Sequence, residues 1–177
     1  MIKKIVFFIS MLIASVGCFS QEYLYITPSF NNKFDFGLDS RVYDITIDIQ
    51  LYREISESTF TRFSYGIGAR FISGVFGPIF EISYGVGKKF NNFYGLVDFT
   101  PTIKCVGKDH QVNGDEMAFG FIPKIGVGYN IPLSESMFIF VEVGGFKEFE
   151  IIYSRDDLNV NSYGVYVNVG FKFKQGN

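Results

Sequence analysis

Along this chain large apolar residues alternate with small or polar ones. Each stretch keeps the two-residue period that puts successive side chains on opposite faces of a β-strand. The segment from Tyr43 to Tyr52 shows it most cleanly: Tyr43, Ile45, Ile47, Ile49 and Leu51 form one row, and Asp44, Thr46, Asp48, Gln50 and Tyr52 the other. The last segment repeats the division, with Tyr163, Val165, Val167, Val169, Phe171 and Phe173 against Ser162, Gly164, Tyr166, Asn168, Gly170 and Lys172. Read for this period, the chain predicts eight strands, at 22–30, 42–53, 59–72, 76–90, 93–106, 117–130, 137–152 and 161–174. Most are longer than the roughly five or six residues usual in soluble sheets.

The connections at 54–58, 91–92 and 131–136 are short and those at 31–41, 107–116 and 153–160 long, while 73–75 is short where a long one is due. Short turns at one end and longer loops at the other are the pattern of an up-and-down membrane barrel. Composition of the rows sets which face points in. The third strand places Arg62, Ser64, Gly66, Gly68 and Arg70 on its polar row, the fourth Glu81, Ser83, Gly85 and Gly87, and the sixth Ala118, Gly120, Lys124, Gly126 and Gly128. Glycine weakens a strand whose face meets water, but inside a narrow eight-stranded barrel small side chains relieve crowding. The polar, glycine-rich face is therefore expected inside and the apolar face outside.

The polar rows carry both signs: Asp44, Asp48, Glu81, Asp98 and Glu142 against Arg62, Arg70, Lys104, Lys124 and Lys172. These ten are expected to form a lumen charge network that fills the barrel and excludes an aqueous pore. A charge left unpaired there is costly, so the network must be nearly complete. Closure also pairs every strand edge, as a chain in lipid requires. Aromatic residues make up 19% of the chain, with no tryptophan. Tyr23, Tyr43, Tyr84, Tyr94, Tyr129 and Tyr163 are expected in interfacial girdles. Pro101 and Pro123 fall inside strands, where each removes a ladder bond and marks a bulge or weak spot.

The amino terminus changes the picture of where such a barrel works. Lys3 and Lys4, an apolar run from Ile5 to Val16 and the small-residue exit Gly17-Cys18-Phe19-Ser20 read as an export signal over 1–20. Its apolar core is too short to span a bilayer, which takes roughly 20 residues. Cleavage after Ser20 leaves one domain, 21–177; Val16-Gly17-Cys18 also resembles a lipoprotein box, in which case Cys18 becomes a lipidated first residue. Loss of Lys3 and Lys4 leaves fourteen basic against eighteen acidic side chains, so nucleic acid is not expected as a partner. With Cys18 gone, Cys105 is the only thiol and no internal disulfide forms.

On these residues the chain resembles the small eight-stranded outer-membrane β-barrel proteins of Gram-negative bacteria, the OmpA/OmpX-like group, over essentially all of 21–177. The most specific element is Asn168-Val169-Gly170-Phe171-Lys172-Phe173, in which Gly170, Phe171 and Phe173 look like the carboxy-terminal signal read by the outer-membrane assembly machinery. Family chains usually stop at the last aromatic, whereas Lys174 to Asn177 follow here. The resemblance implies an all-β, eight-stranded antiparallel up-and-down transmembrane β-barrel. It implies as partners the outer-membrane lipid, the assembly machinery and an envelope protein. The role expected is non-enzymatic: envelope integrity, surface contact or accessory membership of a larger complex. The alternatives are a soluble secreted lipocalin-like barrel binding a small hydrophobe, a lipid A-modifying barrel enzyme and a narrow pore.

Candidate chemistry adds little. His110 is the only histidine, and nothing sets a serine and carboxylate beside it for acyl transfer. Asp109, Asp115 and Glu116 offer oxygen ligands to a divalent cation, but a charged exposed loop is the expected reading. The Gly-x-Gly runs at Gly66, Gly85 and Gly126 lie in strands and do not cradle phosphate. No cofactor is expected. Phe34, Phe36 and Leu38 offer either an exposed contact surface or a continuation of the first strand towards lipid.

Overall fold

A computed structural model describes residues 25–36, 42–72, 75–106, 116–152 and 160–174. Eight strands follow in chain order: β1 (Tyr25–Asp35), β2 (Val42–Glu54), β3 (Thr59–Ile72), β4 (Val75–Phe90), β5 (Phe93–Val106), β6 (Glu116–Pro132), β7 (Met137–Ile152) and β8 (Val160–Lys174). Each pairs antiparallel with the next, and β8 pairs with β1, so the sheet closes into a barrel. No backbone edge is left open, which is the condition for sheet in an apolar solvent.

The register can be followed once around the wall. From Tyr25 it runs through Tyr52, Arg62, Gly85, Asp98, Lys124, Phe146 and Gly164 and returns to β1 at Asp35. The sheet thus closes with a stagger of ten residues on β1, from Tyr25 to Asp35. For eight strands that stagger sets a tilt of about 40° and a backbone radius of about 8 Å. A cylinder this narrow has room for side chains and little else.

Both chain ends of the barrel, Tyr25 and Lys174, lie at the end that carries the tight turns 55–58, 91–92 and 133–136. At the two-residue turn Asn91 takes φ 59°, a left-handed conformation that asparagine tolerates. The first strand runs further towards the loop end than the alternation in its early residues predicts, to Asp35. Asn31, Asn32 and Lys33 read as a loop by composition, yet they pair with both β2 and β8. Asn31 and Lys33 turn into a polar lumen, so composition there carries no loop signal, while Asn32 and Phe34 continue the outward row.

Pro101 and Pro123 mark interruptions without bulges. The β4–β5 ladder is broken beside Pro101 and the β6–β7 ladder beside Pro123, and in both the register resumes unshifted. Pro28 does the same between β1 and β8. All three prolines point outward, where the missing N–H costs a ladder bond but no lumen contact.

The outer wall is largely apolar, with Ile47, Val97, Ile125 and Val127 each about three-fifths exposed (61%, 58%, 66% and 61%). Phe171 and Phe173 belong to that wall, and Gly170 faces in. Tyr43, Tyr129 and Tyr163 stand outward near strand ends. Tyr84 is outward but six residues from the end of β4, at mid-height rather than in a girdle. Tyr94 is a correction: it points inward and is 2% exposed, because it shares a row with Leu96 and Asp98. Tyr23, the export signal, Cys18 and Leu38 lie outside the described residues.

Candidate functional site in the barrel lumen

The inward rows turn most of the charged side chains of the strands into the barrel. Asp44, Asp48, Arg62, Arg70, Glu81, Asp98, Lys104, Lys124, Glu142 and Lys172 are all buried there. Three further charges share the interior: Lys33 on β1 and Glu148 and Glu150 on β7. Each was readable by extending a row by two: Thr27, Ser29, Asn31, Lys33 on β1, and onward from Glu142 on β7. Among the described residues the lumen thus holds six cations and seven carboxylates.

These charges form two layers. In the layer nearer the turns, Arg62 donates from Nη1 to Glu142 Oε2 at 2.7 Å and from Nη2 to Asp98. Glu142, fully buried, also accepts from the Tyr94 hydroxyl at 2.9 Å and the Tyr166 hydroxyl at 3.0 Å. In the layer nearer the loops, Arg70 binds Asp44 at 2.9 Å, Glu148 at 2.7 Å and Glu150 at 2.7 Å. Lys104 pairs with Glu148, Lys33 with Glu81, and Lys124 lies 3.6 Å from Glu81. Charge-assisted bonds of this kind are the strong ones, and bidentate guanidinium pairs add geometry. Asp48 stands apart: among the described residues it forms no ion pair, and its Oδ1 has no hydrogen-bond partner.

Apolar side chains separate and cap the layers. Tyr52, Phe60, Tyr94 and Leu96 pack together at the turn end, and Ile122, Phe146 and Tyr166 between the ionic layers. The Lys172 ammonium is seated in the first group, 4.0 Å from the Tyr52 ring centroid and 5.3 Å from that of Tyr94, and donates to Asn130 Oδ1 at 3.2 Å. Cation–π contact is strongest when desolvated, as here.

The glycines explain how these rings fit. A Cβ on Gly128 would fall into the Tyr94 ring, on Gly87 into Phe60, and on Gly126 against the Tyr166 hydroxyl. Tyr94 is paired directly opposite Gly128, and Phe60 opposite Gly87. A large side chain therefore lies flat along the wall over a neighbour that has none.

The geometry has one mechanical consequence. Strands β3 and β7 stand half a turn apart, so Arg62–Glu142 and Arg70–Glu148/Glu150 bridge the diameter at two heights. Among the described residues no group of three or more His, Cys, Asp or Glu side chains is placed to hold a metal ion. His110, Asp109 and Asp115 lie outside the described residues, as do Ser154 to Asn159.

In structure the barrel is similar to the crystal structure of Neisserial surface protein A, with a TM-score of 0.59 and 9% identity over 86% of this chain and 97% of that one. The translocator domain of the autotransporter NalP from Neisseria meningitidis matches at a TM-score of 0.43 and 10% identity, over 98% of both chains. A designed transmembrane β-barrel matches at 0.43 and 16%, over 87% of this chain and 96% of that one. No protein-family model matches the sequence, and no curated protein matches it. The likeness to the Neisserial protein is one of fold: an all-β, closed, eight-stranded antiparallel barrel.

Proposed function

We propose that this chain is a non-enzymatic integral protein of the Gram-negative outer membrane, exported by a cleaved signal. Its barrel is a plugged anchor for the loops at its far end, and its role is envelope integrity, surface contact or accessory membership of a larger complex. The observation that carries this reading is the pair of guanidinium bridges across the lumen, Arg62 to Glu142 and Arg70 to Glu148 and Glu150. A barrel about 8 Å in radius with two ionic layers across it and aromatic packing between them has no continuous water path. The apolar outer wall and the fold shared with Neisserial surface protein A support the membrane address. Assembly through Gly170, Phe171 and Phe173 belongs to the same reading, with these residues on β8, the strand that closes against β1.

Two measurements on the mature chain test it. After carbonate washing the protein is expected to stay with outer-membrane vesicles and to migrate differently on gels before and after heating; release into buffer would contradict the address. Reconstituted into planar bilayers, it is expected to give no steady conductance, and large stable channels would contradict the plug.

A further inference from the structure

Among the described residues the outer wall carries charge away from its rims at one place. Arg53, Lys88 and Lys174 lie within two residues of the turn-side ends of β2, β4 and β8. Lys147 instead stands on β7 five residues before its last residue, Ile152, which is about 12 Å of barrel height inside the loop-side rim. Its neighbours Phe146 and Glu148 are buried and Lys147 is exposed, so the lysine points outward.

Its surroundings are apolar. Tyr163 is directly opposite on β8, and the Phe149 ring centroid is 5.0 Å from the ammonium. On the β6 side the ladder is interrupted beside Pro123. Two residues towards the turns, Gly145 is flanked by Ile125 and Val165 and leaves a notch in the wall. A Cβ built there would meet only the Gly164 carbonyl oxygen, at 3.7 Å.

A lysine on the lipid face costs about 2–4 kcal/mol at the bilayer midplane and less towards the interface, and the Phe149 ring offsets only part of that. We infer that Lys147 and the notch at Gly145 form a binding site for a phosphorylated lipid of the outer leaflet. The phosphate is held by the ammonium and one acyl chain lies in the notch. Charge selects this occupant: the lysine stem reaches up along the wall towards the headgroups, and the anion found there is attached to chains that already lie against the barrel. The inference rests on the outer-membrane reading, with the long loops outside.

The test uses the full mature chain in detergent micelles, its fold checked by the heat-dependent gel shift. Native mass spectrometry is run with bisphosphorylated lipid A, with the same lipid dephosphorylated, and with phosphatidylglycerol. Retention of the bisphosphorylated lipid above the other two is expected, with Lys147→Ala weakening it about fivefold. Gly145→Leu, which keeps the lysine and fills the notch, is expected to weaken it as well. Equal retention by wild type and Lys147→Ala overturns the site. So does equal retention of the phosphorylated and dephosphorylated forms, a preference for phosphatidylglycerol, or a lipid-free dimer that Lys147→Ala abolishes. A chain with no heat shift and no membrane retention overturns the outer-membrane reading and this inference together, which separates the two kinds of failure.

Discussion

Arg62 and Asp48 are both buried charges in the same lumen, and they differ in what surrounds them. Arg62 serves two carboxylates at once, Asp98 and Glu142. Arg62→Ala leaves both buried without that partner, and breaking a buried pair from one side costs about 3–5 kcal/mol. A guanidinium titration in micelles, followed by circular dichroism, should show that loss as a much lower midpoint. Asp48 has no contacting counter-ion among the described residues, so Asp48→Asn removes a buried charge that is not directly paired, and the same titration should show a midpoint unchanged or higher. The glycines divide in the same way. Gly128→Ala drives a methyl into the Tyr94 ring, which its bond to Glu142 holds in place, and is expected to cost about 1–3 kcal/mol. Gly95→Ala on the outer wall meets nothing within 4 Å and should stay within about 0.5 kcal/mol of wild type. Which residues carry charge inward was largely legible, because a period of two assigns each to a face. Their partners were not: Arg62 meets Glu142 across the barrel, eighty positions along the chain, and no local pattern encodes that distance.

The strands themselves were legible to within a few residues, because an unbroken alternation of ten or more positions has no other regular conformation. The first strand is the exception, since Asn31, Asn32 and Lys33 suit both a loop and the inside of a charged barrel. Composition failed for Tyr94 for the opposite reason: a tyrosine near a strand end reads as interfacial, but its row and its glycine partner place it inside. The prolines give a prediction at this scale. Pro101 stands outward where the β4–β5 ladder is interrupted, opposite Ile82 in the unshifted register. Pro101→Val restores an N–H towards β4, and one added hydrogen bond contributes about 0.5–1.5 kcal/mol. Slower amide hydrogen exchange along the Ile82 stretch of β4 is expected; exchange unchanged or faster would mean the gap is not caused by the missing donor.

For the whole molecule the decisive quantity is the ten-residue stagger, which no single strand reveals, because it arises only when all eight registers are joined. It fixes the radius, the radius makes the lumen just wide enough for side chains, and the paired charges then fill it. Everything else follows from the direction of the two faces: polar rows in and closed by their own ion pairs, apolar rows out and, in the proposed setting, against lipid. The most direct test is quenching by brominated lipid of a fluorophore placed on single cysteines at Val165, Val167 and Val169 of β8, in a Cys105→Ser background in vesicles. Strong quenching at all three by brominated acyl chains and none by aqueous iodide is expected; iodide quenching with no effect of the brominated lipid would put these valines in water and overturn the assignment of the faces.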